Sequence, residues 1–194
     1  MNVREEITKY KPLKSAGDAI GLIAFYPLFL VVGYLLETLE LVYAAEIYLF
    51  VFYVYLLVSV YKLRNIFNSK RFVYFSYLGF GIIGLQVVFI VLAFTGIVFN
   101  LSGALIRMLI FVSIGLLAHD ISKKGRSKLH HDLYKYGGLI ILGAFIMVIP
   151  IDVSYIAGII LIVAGLSLVS QKIKYLYYYE VQKIIKTKAK AEQK

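Results

Sequence analysis

Cysteine and tryptophan are both missing from this chain of 194 residues, and charged residues make up only 16% of it. Without cysteine the chain has no disulfide, no thiolate zinc site, no iron–sulfur ligation and no catalytic thiol. Soluble domains carry roughly 25% charged residues, so the low charge argues against a soluble globular enzyme and against a disordered chain. Hydrophobic residues instead reach 61%. This composition is typical of a protein embedded in a lipid bilayer.

Six apolar stretches follow one another along the chain: 19–36, 41–61, 72–98, 101–117, 136–149 and 153–170. A helix needs about 20 residues to cross ~30 Å of hydrocarbon, whereas the strands of a membrane β-barrel alternate polar and apolar residues, and these stretches do not. Successive helices that are apolar on every face are rare in soluble proteins. The sequence therefore predicts an all-α polytopic membrane bundle with six transmembrane helices over residues 19–170. A cytoplasmic segment 1–18 precedes it and a basic amphipathic cytoplasmic tail 171–194 follows it.

Basic residues are distributed very unevenly between the connections. The N-terminal segment, the second and fourth connections and the C-terminal tail together hold 20 of the 21 Lys and Arg residues. Residues 37–40, 99–100 and 150–152, which form the other connections, hold none. Because cytoplasmic loops are enriched in Lys and Arg, both termini are expected on the cytoplasmic side of the cell membrane. These short basic segments contain few aromatic residues, so we expect anionic lipid headgroups, and no nucleic acid, as their partners.

The tail from Gln171 onward has an amphipathic pattern. Lysines surround a helical face formed by Ile173, Tyr177, Val181, Ile184 and Ile185. One interpretation is a helix that lies on an anionic leaflet or packs on a partner. The other, which we favour, is a solvated helical extension of the last span.

Two charged residues lie within the predicted spans. By the helical rise of 1.5 Å per residue, Arg107 lies about 9 Å and Glu46 about 7–8 Å below the outer boundary. Because an unpaired Arg at the centre of a span costs on the order of 3 kcal/mol, we predict an ion pair between them, with Glu37, Glu40 or Asp152 as alternative partners for Arg107. A packing clamp is favoured over an anion-attracting or proton-sensitive site, since a relay needs polar groups at several depths.

Four polar groups lie deeper in the predicted spans. Gln86 is the only amide near the midplane, and we expect it to hydrogen-bond a neighbouring helix. Tyr26, Tyr53 and Tyr55 each need an internal partner for the hydroxyl group. We interpret these tyrosines as helix-contact residues, with the lining of a cavity as the alternative.

Small residues indicate where helices approach each other. Gly17 and Gly21 form a GxxxG pair in the first span, and Ser154 and Gly158 form a similar small-xxx-small pair in the last. Such pairs let backbones approach closely where lipid provides no hydrophobic drive for association. Pro27 removes one backbone hydrogen bond and predicts a kink in the first span.

Motifs for catalysis and cofactor binding are lacking. His119, His130 and His131 all fall at or beyond the cytoplasmic end of the fourth predicted span, so the spans provide no imidazole for a bilayer-embedded haem. His130 and His131 beside Asp132 do not have the spacing of a metal site. The chain has neither a glycine-rich phosphate loop nor a nucleophile elbow. We therefore predict no catalytic residues, no cofactor and no metal.

Three pieces of the sequence resemble a known family. They are SAGDAIG at 15–21, KLRNIF at 62–67 leading into YLGFGIIG at 77–84, and YGGLIILG at 136–143. These pieces are similar to an archaeal multi-pass membrane family, the domain-of-unknown-function family numbered 996. The resemblance implies an archaeal cytoplasmic membrane and brings no activity or catalytic residues with it. Glu46 and Arg107 are not part of the family pattern.

Three classes of function fit these observations. The one we favour is a non-catalytic subunit or scaffold of a membrane assembly, which packs against other membrane subunits or against itself. The alternative is a small-solute or ion transporter or channel that uses Glu46, Gln86 and Arg107. The third is a lipid- or quinone-handling membrane enzyme, suggested only by Asp120, His119 and Asp132 near the cytoplasmic interface.

Overall fold

A computed structural model describes residues 3–94, 100–123, 128–149 and 152–192, and every regular element in these ranges is an α-helix. The helices are α1 (Val3–Ile23), α2 (Tyr26–Leu35), α3 (Leu39–Phe67), α4 (Arg71–Phe94), α5 (Asn100–Lys123), α6 (Lys128–Met147) and α7 (Asp152–Glu192). Residues 1–2, 95–99, 124–127, 150–151 and 193–194, which include the end of the predicted span 72–98, lie outside the described ranges. The prediction of an all-α bundle is confirmed.

Five of the helical rods are long and apolar enough to cross a bilayer, with α1 and α2 together forming the first. The others are α3, α4, α5 and α7. The remaining helix, α6, has 20 residues, but Lys128, Asp132 and Lys135 lie in its first turns and shorten its apolar part. These lengths and compositions indicate a membrane protein.

The helices form a closed ring. Going round it, α1 packs against α7, α7 against α6, α6 against α5, α5 against α4, α4 against α3, and α3 against α1. Helix α2 continues the first rod and packs on α3. Large side chains fill the space inside the ring, where Tyr26, Tyr53 and Phe111 are fully buried. The core runs through the whole ring, with fully buried residues such as Ile20 on α1 and Ile162 on α7 as well as those on α3 and α5.

The first rod is broken immediately before Pro27. Helix α1 ends at Ile23 and α2 begins at Tyr26, and the amide of Phe25 donates to the carbonyl of Leu22 at 3.1 Å. The hydroxyl of Tyr48, on α3, donates to the same carbonyl at 2.8 Å and so satisfies a backbone group at the break. Because proline has no N–H and its ring crowds the preceding turn, the break lies where the sequence predicts a kink.

Helices α5, α6 and α7 approach each other closely at glycines. A Cβ atom built on Gly115 would lie 2.7 Å from the carbonyl oxygen of Gly137, and one on Gly143 would lie 2.8 Å from that of Gly158. Any larger residue at these positions would push the helices apart. Such contacts gain van der Waals energy at a distance that only glycine permits.

Helices α1 and α7 continue side by side beyond the apolar part of the bundle. Helix α7 has 41 residues without interruption, which is about 60 Å at 1.5 Å per residue and twice the thickness of the hydrocarbon core. Lys174 Nζ lies 2.8 Å from a carboxylate oxygen of Asp18, and Lys188 Nζ lies 3.8 Å from one of Glu6, so the two helices run antiparallel. Residues 3–14 and 171–192 are termed the stalk below. Both the predicted N-terminal segment and the predicted tail are thus helical and packed together.

Candidate functional site

Glu46 and Arg107 come together inside the ring. Glu46 lies on α3 and Arg107 on α5, and a guanidinium nitrogen of Arg107 donates to Oε1 of Glu46 at 3.1 Å. The Glu46 side chain is 28% exposed and the Arg107 side chain 17% exposed, so the pair is largely shielded. Taking one charge out of water without its partner costs several kcal/mol, so each of these residues stabilises the other in place. Glu37, one alternative partner, is exposed at a turn, and the side chains of Glu40 and Asp152 lie outside the described residues.

Tyr26 completes a three-residue polar cluster. Its hydroxyl donates to the same Oε1 of Glu46 at 2.9 Å, and its ring lies 6.1 Å from the ring of Phe111. Tyr155, on α7, is close enough to Arg107 to interact with it electrostatically. The cluster of Tyr26, Glu46 and Arg107, termed the Glu46 cluster below, therefore joins α2, α3 and α5.

A second polar contact links α3 to α5 deeper in the ring. The hydroxyl of Tyr53 lies 2.8 Å from Oγ of Ser113. Ser113 donates its own proton to the carbonyl of Ile110 at 2.7 Å, so Tyr53 is the donor to Ser113. Tyr53 follows Glu46 by two helical turns, about 10 Å along α3. The two contacts hold together a pair of helices that are not neighbours in the ring.

The other two polar groups predicted to lie deep in the spans behave differently. Gln86 is 8% exposed on α4, and no described residue hydrogen-bonds its Oε1. The expected bond from Gln86 to a neighbouring helix is therefore not seen in the described ranges. Tyr55 is 41% exposed on the outer face of α3, in line with Val51 and Val58, so its interpretation as a helix-contact residue is wrong. The reason is rotational, because inward positions of α3 follow Leu49, Tyr53 and Leu56 and leave Tyr55 outside.

The predicted packing residues lie at two helix contacts. Oγ of Ser170, on α7, donates to the carbonyl of Gly17 at 2.7 Å. A Cβ atom on Gly21 would lie 2.7 Å from this Oγ of Ser170. Gly158 lies against Gly143 on α6, while its predicted companion Ser154 is only partly buried. The sequence did not indicate Ser170, although a small polar residue opposite a GxxxG pair is a usual partner in membrane helices.

The acidic residues at the basic end of the bundle pair with neighbouring helices. Arg71 lies 3.4 Å from Asp120, and Lys172 donates to Asp132 at 2.8 Å. This hydrogen bond from Lys172 lowers the pKa of the Asp132 carboxyl below its usual value. The ring of His119 packs on that of Tyr134, with 4.5 Å between the centroids. The residues that suggested a lipid- or quinone-handling enzyme thus connect α4 to α5, α5 to α6 and α6 to α7.

A metal centre would need several ligands close together, and in the described ranges no three His, Asp or Glu side chains form such a group. The side chain of His130 lies outside the described residues. No protein-family model, curated protein or solved structure matches the chain. The resemblance to the archaeal family therefore stays a prediction.

Proposed function

We propose that this protein is a non-catalytic scaffold or subunit of an assembly in the cell membrane. The observation that carries the proposal is the mutual pairing of the polar side chains inside the ring. Glu46 accepts from both Tyr26 and Arg107, and Tyr53 donates to Ser113. Side chains that hydrogen-bond to one another across helices stabilise the packing of those helices, and these contacts fix the distance between α3 and α5.

The proposed topology has six spans with both termini in the cytoplasm. The rods α1–α2, α3, α4, α5 and α7 provide five spans, and α6 provides the sixth because it lies between α5 and α7 in the closed ring. Ion pairs between Arg71 and Asp120 and between Lys174 and Asp18 lie at the end of the bundle that carries both termini. The excess of Lys and Arg at this end supports a cytoplasmic location.

The outer face of α4 is the proposed contact with another membrane helix, from a second subunit or a second copy. A Cβ atom on Gly81 or Gly84 would have no other atom within 4 Å, whereas glycines at the other helix contacts are tightly enclosed. Tyr77 and Leu78 on the same helix are exposed as well. Small residues between large apolar ones allow a helix to approach closely.

Association is tested by extracting the protein from its own membrane in mild detergent and measuring the mass of the complex. Gly84→Leu is expected to release the chain from a larger assembly. Val51→Leu, on the exposed outer face of α3, is the matched control and is expected to leave the assembly intact. A wild-type protein that is a single chain in these extracts contradicts the proposal, as does an equal loss in both variants.

Topology is tested with single-cysteine variants, since the natural chain has no cysteine. A membrane-impermeant maleimide is expected to label Glu37→Cys from outside the cell and Lys70→Cys only after permeabilisation. Both positions are exposed at helix connections, so access is equal apart from the side of the membrane. Labelling of both from the same side contradicts the six-span arrangement.

One observation favours the alternative function of a small-ion transporter. Oε1 of Gln86 is buried without a hydrogen bond from any described residue, and a polar atom in that state is suited to bind a passing solute. Flux of protons or alkali cations into proteoliposomes, lost in Gln86→Leu, would support transport over the scaffold.

A further inference from the structure

The stalk carries its basic residues well beyond the apolar part of the bundle. Helix α7 is continuous through Ser170, where the last predicted span ends, so its direction past that point is the direction of the span. Lys183 lies 13 residues further on, about 20 Å along the axis. Even at a tilt of about 40°, this lysine is about 15 Å from the end of the hydrocarbon, and the Debye length in cells is about 8 Å. The headgroup layer adds about 5–7 Å to the hydrocarbon on each side, so Lys183 lies about one Debye length beyond it, where attraction to lipid headgroups is weakened.

Five lysines on the α7 part of the stalk fall into two groups. Lys172, Lys174 and Lys188 face neighbouring helices and pair with Asp132, Asp18 and Glu6, respectively. Lys183 and Lys186 are exposed, and neither forms an ion pair with any described residue. Glu180, the acidic residue nearest to them in sequence, lies close enough to Tyr10 on α1 to interact with it electrostatically. This face of α7 thus carries two positive charges that form no ion pair with a described carboxylate, and Lys9, Lys11 and Lys14 on α1 are exposed as well.

These two lysines line a shallow groove on α7. The groove is formed by Tyr179, Gln182, Lys183, Lys186, Thr187 and Ala189. Ile185 and Tyr178, exposed next to it, add apolar surface. From Tyr179 to Ala189 the groove extends about 15 Å, the length of about three turns of a helix. Apolar and cationic side chains at helical spacing are complementary to a helix with leucines and carboxylates on one face.

We propose that this groove binds an acidic amphipathic helix of a soluble protein on the same side of the membrane. The inference rests on the proposed scaffold function and names the class of partner that the scaffold recruits. A nucleic acid is less well matched, because its binding depends on neutralising many phosphates in a row and the groove offers two uncompensated cations. Salt sensitivity and apolar contact are both expected of the complex.

The test uses the full-length protein in nanodiscs of zwitterionic lipid. The probe is a labelled synthetic helix of about 15 residues, with leucine and glutamate at helical spacing, and its binding is followed by fluorescence anisotropy. Lys183→Glu/Lys186→Glu is expected to weaken binding at least tenfold. Lys62→Glu/Lys70→Glu changes the net charge equally at exposed positions off the stalk and is expected to change binding less than twofold. Lys183→Gln/Lys186→Gln is expected to give an intermediate loss.

The inference is overturned if the control pair weakens binding as much as the stalk pair, or if a peptide with glutamine in place of glutamate binds equally well. Tighter binding of duplex DNA than of the acidic peptide also overturns it. Melting of each variant checks folding, and the exposed positions are expected to leave it unchanged. If the peptide does not bind but Gly84→Leu releases the chain from a larger assembly, only the proposal of an acidic partner is contradicted. If the wild-type protein is a single chain in the detergent extracts, the scaffold proposal itself is contradicted.

Discussion

Tyr26 and Arg107 donate to one and the same oxygen, Oε1 of Glu46, at 2.9 and 3.1 Å. The two donors come from α2 and α5, and the carboxylate that accepts from both is on α3. A carboxylate oxygen that accepts from a cation and from a hydroxyl has both lone pairs engaged. The Glu46 cluster therefore fixes the relative position of three helices, and we expect its loss to lower the free energy of unfolding.

Arg107→Leu is expected to lower the free energy of unfolding by about 3 kcal/mol, because it leaves Glu46 partly buried without its counter-charge. Lys62→Leu removes an exposed cation and is expected to change stability by less than about 0.5 kcal/mol. Thermal melting of the detergent-solubilised proteins measures the difference. Equal melting temperatures and equal extraction yields for the two variants would refute the structural role of the ion pair.

A double-mutant cycle separates the pair from its individual residues. Glu46→Leu/Arg107→Leu is expected to be more stable than the sum of the two single substitutions predicts, with a coupling of about 1–3 kcal/mol. Additive losses would mean that the contact between Glu46 and Arg107 contributes nothing of its own.

Tyr26→Phe keeps the buried ring and removes the hydroxyl, with its hydrogen bond to Glu46 and its contact with Arg107. A hydrogen bond to a charged group contributes about 1.5–3 kcal/mol, so a loss of this size is expected. Tyr55→Phe is the matched control, since Tyr55 is on the outer face, and its melting temperature is expected to equal that of the wild type. A Tyr26→Phe variant as stable as the control would contradict the assigned donor.

Gly137→Ala and Gly138→Ala place the same methyl group at adjacent positions of α6. At Gly137 the new Cβ would lie 2.7 Å from the carbonyl oxygen of Gly115, and we expect a loss of about 1–3 kcal/mol. At Gly138 it meets nothing within 4 Å, and alanine is expected to stabilise the helix by up to about 1 kcal/mol. Chemical denaturation measures the change in the free energy of unfolding for each variant. Changes of opposite sign support the close contact at Gly137, and changes of the same sign argue against it.

Acidification is expected to remove the contribution of the Asp132–Lys172 contact. The folded pKa of Asp132 lies below its unfolded value, so the contribution is complete above the unfolded pKa and is lost as the pH falls through the folded pKa. The difference in melting temperature between the wild type and Asp132→Asn should therefore be present at neutral pH and vanish in acid. A difference that does not depend on pH would assign the effect of the substitution to packing.

Much of the bundle follows directly from one-dimensional patterns. Because membrane-spanning helices need apolar side chains, their approximate positions can be predicted from the hydropathy of the sequence. The depths of Glu46 and Arg107 could be counted from the ends of their spans, because the rise per residue of a helix is fixed. This is why their proximity could be predicted without any knowledge of neighbouring helices.

Rotations about the helix axes could not be predicted in this way. Tyr26 and Tyr55 are similar by sequence, yet one donates to Glu46 and the other faces outward, since each orientation depends on which helices pack alongside. The 15 glycines of the chain likewise do not reveal that Gly115 meets Gly137. The pairing of the tail with α1 depends on contacts between residues such as Glu6 and Lys188, which are at opposite ends of the sequence.

Because α7 is continuous, the part of it inside the ring and the part in the stalk have one common axis. A stiff rod that is fixed in the ring at Gly158 and Gly165 and extends to the stalk moves as one body. Lys186 lies about 31 Å past Gly165, so a change of about 10° in the inclination of the span would displace this lysine sideways by about 5 Å. A thinner or thicker bilayer that altered this inclination would therefore also displace the groove at the far end of the same helix.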